Sequence, residues 1–331
     1  MKIEARACAR AGLLGNPSDG YFGKTISVAI QNFHAQVDLE PSSELRIEPG
    51  PNDSNVFESL RHLEERVDLF GYYGGDRLVK AAVKRFCGLC RERDIPLPDR
   101  NFAVSYATSI PRQIGLAGSS AIVMATLRGL MRFYAVDIPP ADLAQLTLDA
   151  EVTELGINAG LQDRVIQAYE GCVYMDFDAD QMQKIGKGRY EPLDPQLLPE
   201  IYLAYRTDLG KISGQVLNTI RQRYDAGDLE VIDTLKQIAG LAEAGRRAIV
   251  RGRTADLIGL MNDNFDLRCR IMEISHDNVA MVRAARGVGA SAKFAGSGGS
   301  IIGIYDGDRM FNALVVELGR IGAKVIKPQI A

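Results

Sequence analysis

The chain predicts an α+β fold in two domains, on three observations. Its 331 residues are enough for two domains. The last third reads strand, glycine-rich turn, strand, helix, strand, after a series of long amphipathic helices. Near the start, Ala35, Val37 and Leu39 alternate with Gln36, Asp38 and Glu40, as on a half-buried strand. Hydrophobic residues make up 46% and charged residues 24%, the balance of an ordinary soluble globular protein. A formal net charge of −3 provides no basic field for nucleic acid or an anionic membrane. No apolar run is long enough to span a bilayer. Met1–Arg6 carries an acid and a second base where a secretion signal has its apolar core, so a cytoplasmic protein is expected. Five cysteines, an odd number in a large chain, argue against a disulfide framework.

Taken in order, residues 3–9 and 24–39 read as strands. Between them Arg10–Gly23 is rich in Gly, Asn, Pro, Ser and Asp and reads as a loop, either a plain connection or a substrate loop. Residues 50–68 are polar and partly helical in pattern. Phe70–Gly75 is a second loop, opening a helix to about Arg93 with Val79, Val83, Phe86 and Cys90 on its apolar face. Cys87 and Cys90 form a C-x-x-C pair late in that helix with no second pair for zinc, which favours packed thiols. Residues 101–108 form a polar strand. Val123, Met124, Leu127, Leu130 and Met131 then recur at helical spacing as a core stripe. Pro139-Pro140 starts the next helix, which ends among Asp149, Glu151 and Glu154. These acids read as solvated or as metal ligands. Residues 173–177 form a strand. The proline-bearing stretch 178–200 reads as the crossing between domains, which are placed at 1–195 and 196–331.

Pro111–Ala121 is the motif with the clearest chemistry. Gly115 and Gly118 let the backbone approach a ligand closely. The following helix starts at Ser119-Ser120, so its free N–H groups and positive dipole end face the loop. Such a start suits a phosphate, and the two hydroxyls add ligands for phosphate oxygen or magnesium. No Walker-type G-x-x-x-x-G-K-[ST] string is present. Asp163, beside Arg164 and past a glycine-containing turn, reads either as a helix cap or as a carboxylate held by a cation for work on a proton. Gly296-Ser297-Gly298-Gly299 is not a dinucleotide fingerprint.

The loop at Arg10–Asp19, the loop at Pro111–Ala121 and the turn at Lys293–Ser300 resemble, in that order, the three motifs of the GHMP kinases, with Ala117 where the family often has glycine. The strings at 12–19, 71–75, 110–116, 159–165 and 264–268 are most similar to the branch that acts on uronic acids. Asn16 and Pro17 replace the Glu-His common elsewhere in the family. The resemblance implies a first domain like domain 2 of ribosomal protein S5 and a second, ferredoxin-like one. It implies an ATP- and Mg2+-dependent kinase acting on the anomeric hydroxyl of a sugar acid, monomeric or homodimeric. Another sugar 1-kinase, a heptose kinase or a non-catalytic sensor of the same fold stay open. By position it implies Asp163 and Arg10 as catalytic residues. Ser120 and Glu151 then take the metal, and Pro111, Gly115, Leu116, Ala117, Gly118, Ser119, Ser120 and Ala121 take the nucleotide. Asn16, Asp19, Tyr73, Arg112, Arg164, Arg268, Gly296 and Gly298 are implied at the substrate. The carboxylate of a uronate calls for an arginine fork, with Arg112, Arg164, Arg221, Arg223 and Arg268 as candidates.

Overall fold

The structure is a computed structural model, and it describes residues 1–50, 53, 58–70, 74–157, 160–209 and 214–330. Tyr73 lies outside them. The chain runs β1 (Ile3–Leu14), β2 (Lys24–Ser42), β3 (Arg46–Ile47), α1 (Leu60–Phe70), α2 (Asp76–Glu92), β4 (Asn101–Thr108), α3 (Gly118–Tyr134) and α4 (Pro140–Asp149). It continues with α5 (Gln162–Tyr169), β5 (Cys172–Asp176), α6 (Ala179–Ile185), β6 (Arg189–Leu193), β7 (Ile201–Tyr205), α7 (Gly214–Asp225), α8 (Leu229–Val250) and α9 (Asp256–Ile271). It closes with α10 (His276–Gly287), β8 (Lys293–Phe294), β9 (Ser300–Ile304), α11 (Gly307–Arg320) and β10 (Lys324–Ile326).

Two compact units interleave along this order. The first comprises Met1–Ala9, Phe33–Ile110 and Ala117–Ala159, and the second Arg10–Asn32, Pro111–Leu116 and Gly160–Ala331. This division by compactness does not follow a single boundary in the sequence. β1, β2 and the Pro111–Ala121 loop each contribute residues to both units.

In the first unit, β2 pairs antiparallel with β4 from Ala35↔Thr108 to Ser42↔Asn101, and β3 adds in parallel. The alternation of β2 puts Ala35, Val37 and Leu39 wholly inside, where Phe102, Val104 and Tyr106 of β4 join them. Val123, Met124, Leu127 and Leu130 of α3 are buried, as their helical spacing requires. α2 packs against α3 and α4. At the end of α4 one turn widens into a π-helix, Ala150–Glu154. The acids there separate: Asp149 pairs with Arg85 at 3.4 Å and Glu154 with Lys84 at 2.5 Å, while Glu151 is fully buried.

In the second unit, β2 pairs with β5 over Lys24–Val28, and β5 pairs with β6. A second antiparallel sheet runs β10-β7-β9-β8. Its core holds Tyr202, Val231, Leu235, Phe265, Met281, Phe294, Ile301, Leu314 and Leu318. The Tyr202 hydroxyl donates to the Ser291 carbonyl at 2.8 Å. The stretch 178–200 differs from the expected connection, because it carries α6 and β6. Pro192 sits in β6, an edge strand among the described residues, where proline is tolerated. No helix among the described residues is long and apolar enough to cross a membrane.

Candidate active site

In the first unit the loop delivers Ala117 in a left-handed conformation (φ 59°, ψ 42°) at the N-cap of α3. Ala117 itself has no side chain able to cap this helix. The helix's first-turn N–H groups lack an intrahelical acceptor and carry the positive end of the dipole, the arrangement that binds phosphate. Ser119 Oγ donates to Glu151 Oε1 at 2.8 Å. Ser120 is 1% exposed, and its Oγ has no hydrogen-bond partner among the described residues. A buried, unpartnered hydroxyl on the unit that also buries a carboxylate is a donor set that fits a magnesium ion.

In the second unit Arg10 and Asp163 meet. Arg10 Nη2 lies 2.6 Å from Asp163 Oδ1, with the two side chains 7% and 15% exposed. Asp163 is reached by α5, which begins at Gln162. Arg10 is fixed from its other nitrogen, Nη1, which donates to the Ala295 carbonyl at 2.7 Å and the Gly115 carbonyl at 3.1 Å. Arg164 Nη1 lies 3.9 Å from Asp163 Oδ2 and donates to the Gly160 carbonyl. Gly115 (φ +72°) and Gly296 bring two loops into backbone contact. A Cβ at Gly296 would stand 2.0 Å from the Gly115 oxygen, so no other residue fits there without displacing the chain.

Asp19 does not end in an open space. Its Oδ2 accepts from the Gln162 N–H at 3.1 Å, and its Oδ1 accepts from Gln162 Nε2 at 2.9 Å. Ser27 Oγ donates to Gln162 Oε1 at 2.7 Å. Asp19 thus serves as the missing cap of α5, one residue before Asp163. Burial pushes its carboxyl above the ordinary range, against the lowering effect of the Gln162 N–H.

Beneath this lies a polar cluster of which the sequence marked Asn16, Arg268 and Gly296 but assigned Lys293 no role. Lys293, 1% exposed, donates to the Gly12 carbonyl at 2.7 Å, Asn16 Oδ1 at 2.5 Å and the Phe294 carbonyl at 2.8 Å. Asn264 accepts from the Gly15 N–H at 2.7 Å and donates to the Asn16 carbonyl at 3.1 Å. Arg268 donates to the Gly296 carbonyl at 2.8 Å, and its guanidinium lies over the Phe294 ring at 5.1 Å. Burial lowers Arg268 to about 10, and burial with the neighbouring Arg268 and Arg10 guanidiniums holds Lys293 well below the ordinary lysine value. Asn16, Arg268 and Gly296 are therefore gathered in one network, through protein acceptors. The one available signal for Lys293 was a lone cation in the apolar run Ala292-Lys293-Phe294-Ala295; Gln162 gave none beyond its place next to Asp163. Gly298 sits in the same turn at φ +119°.

The helix start of the first unit suits phosphate and the second unit holds a carboxylate against a guanidinium, and the comparisons with known proteins make the class plain: a phosphotransferase with an alcohol group as acceptor. Residues 77–171 match the family described as "GHMP kinases N terminal domain". The chain is 49% identical over 306 residues to "Glucuronokinase 1" of Arabidopsis thaliana, covering 91% of this chain and 84% of that one. It is 48% identical over 307 residues to "Probable glucuronokinase 2" of the same organism, covering 91% and 83%. Among solved structures it superposes on the phosphomevalonate kinase of Streptococcus pneumoniae with a TM-score of 0.77, at 16% identity and with full coverage of both chains. The chain belongs to the GHMP kinase family. The expected two-domain α+β fold is thereby borne out.

Proposed function

We propose that this protein transfers the γ-phosphoryl group of ATP to the anomeric hydroxyl of D-glucuronate, giving the 1-phosphate. The observation that carries it is the Arg10–Asp163 pair at 2.6 Å, in a chain 49% identical to a glucuronokinase. Asp163 orients the acceptor hydroxyl and takes its proton through Oδ2, since Oδ1 is held by Arg10. Arg10 stays on the carboxylate and balances the negative charge that gathers as the hydroxyl ionises. Three acceptors fix its guanidinium, so this charge is preorganised rather than assembled during reaction. The N–H groups that open α3 hold phosphate oxygens, with Ser119 Oγ orienting Glu151.

Magnesium would be held by Ser120 Oγ and Glu151 and would neutralise triphosphate charge when bound. Phosphoryl transfer asks for positioning and charge neutralisation more than covalent chemistry, and these residue types supply both.

An ADP-release assay over glucuronate, galacturonate, galactose, arabinose and a heptose tests the reading. Glucuronate is expected to give the highest kcat/KM. Absence of turnover with any uronate overturns it.

A further inference from the structure

The uronate carboxylate needs a cation that the protein has not already committed, and the structure separates the candidate arginines. Arg268 is 2% exposed and spends its donors on the Gly296 carbonyl and on Met272 Sδ at 3.1 Å. Arg164 is 2% exposed and lies against Asp163 and the Gly160 carbonyl. Arg223 is taken by Asp228 at 2.7 Å and Glu230 at 2.9 Å. Arg112 lies on the Pro111–Leu116 stretch, intermediate in exposure.

Arg221 on α7 differs from all of these. Its side chain is 43% exposed. Nη2 donates to the Gly20 carbonyl at 2.5 Å, which ties the guanidinium to the loop residue after Asp19. The guanidinium carbon lies 4.3 Å from the centre of the Tyr21 ring and 6.0 Å from that of Tyr224, and the two rings sit 4.8 Å apart. An arginine stacked on one face and pinned at one nitrogen is preorganised, and it keeps its remaining N–H edge for a planar anion. Its nearest acid among the described residues is Asp225, at 3.8 Å and 61% exposed, a pairing too loose and too wet to hold it. A chain of linked residues joins it to the reacting carboxylate: Arg221 holds Gly20, Gly20 follows Asp19, Asp19 binds Gln162, and Gln162 precedes Asp163. In a pyranose uronate the acceptor hydroxyl on C1 and the carboxylate on C5 flank the ring oxygen, so both ends must be met within one ring's reach.

We propose that Arg221 is the residue that recognises the substrate carboxylate, and so selects a sugar acid over the corresponding neutral sugar. This rests on the uronate reading above. Removing the fork costs the charge-assisted bonds to the carboxylate, which are present in the ground state as well as during transfer, so the loss falls mainly on KM.

The test compares glucuronate with glucuronamide, which replaces the carboxylate by a neutral amide of the same shape. It uses the full-length protein and the variants Arg221→Gln, Arg221→Lys and Arg112→Gln, each checked for an unchanged melting temperature. The native protein is expected to prefer glucuronate. Arg221→Gln is expected to raise the glucuronate KM by about 10- to 100-fold, the span of a charged hydrogen-bond pair. The glucuronamide and ATP KM values stay within about threefold, as expected for groups that do not meet the lost charge. Arg221→Lys is expected to recover part of the loss, since it keeps the charge without the fork. If the native protein turns over glucuronate and Arg221→Gln keeps its full preference over the amide, the inference is overturned and the uronate reading survives. The same holds if the preference is lost in Arg112→Gln instead. If the native protein turns over no uronate, both are overturned together.

Discussion

Asp163 is held tightly on Oδ1 by Arg10 at 2.6 Å and only loosely on Oδ2 by Arg164 at 3.9 Å, an asymmetry that suits the proposed proton acceptor. Asp163→Asn keeps the shape and removes the charge. It is expected to lower kcat by about 100-fold or more while the ATP KM changes little, read by steady-state kinetics. An unchanged kcat contradicts the role. Lys293 gives a different prediction, in stability. Its folded value lies well below its ordinary 10.5, chiefly through burial. Between those two values the folded chain binds fewer protons at this site than the unfolded chain does. Stability from this group therefore rises with pH across that window and falls as pH drops through the folded value. Thermal melts from pH 7 to 10 are expected to show the native protein gaining on Lys293→Met as pH rises. Parallel curves contradict the direction.

At the scale of elements, three helix ends do the chemical placing. α3 starts at Ala117, which offers no capping side chain, and its start carries the positive end of the helix dipole. α5 is capped from a distance by Asp19, which steadies the turn carrying Asp163. α4 ends in a π-helical turn that carries Glu151 into the interior, and such turns recur at functional sites. The adjacent serines of α3 are predicted to behave differently. Ser120→Ala removes a buried hydroxyl without a partner among the described residues, so its melting temperature is expected to stay the same or rise. Its magnesium requirement in the kinase assay is expected to rise about tenfold or more, by the scale of lost ligand support. Ser119→Ala breaks the bond to Glu151 and is expected to lower both stability and metal response. Equal behaviour of the two variants contradicts the assignment of separate roles.

Local pattern made these elements legible where period and caps agreed. The alternation of Ala35–Glu40 and the stripe on α3 read directly, whereas Lys293–Phe294, read as part of the glycine turn, form the strand β8. β6 was hidden because proline and charge mask an edge strand. Of the candidate site, the sequence supplied Arg10, Asp163, Ser119, Ser120 and Glu151 through motif order, but their neighbours were out of reach. Asp19's hold on Gln162, Gly15's bond to Asn264 and Lys293's bond to Gly12 join residues 143, 249 and 281 positions apart. Nothing in local periodicity encodes pairs of that separation.

At the scale of the molecule, the chain threads two compact units several times rather than finishing one before starting the other. The Pro111–Ala121 loop is divided between them: Gly115 and Leu116 belong with Arg10 and Asp163, and Ala117 to Ala121 with Glu151. A short motif thus serves two groups of residues, which explains why its spacing is more informative than any single position in it. The relatives at 48–49% identity point to one product. Incubation of the native protein with ATP, magnesium and D-glucuronate, followed by phosphorus NMR, tests this most directly. The account predicts a single sugar phosphate whose phosphorus couples to the anomeric proton, absent with Asp163→Asn over the same interval. A phosphate on any other hydroxyl, or no sugar phosphate from the native protein, would contradict it.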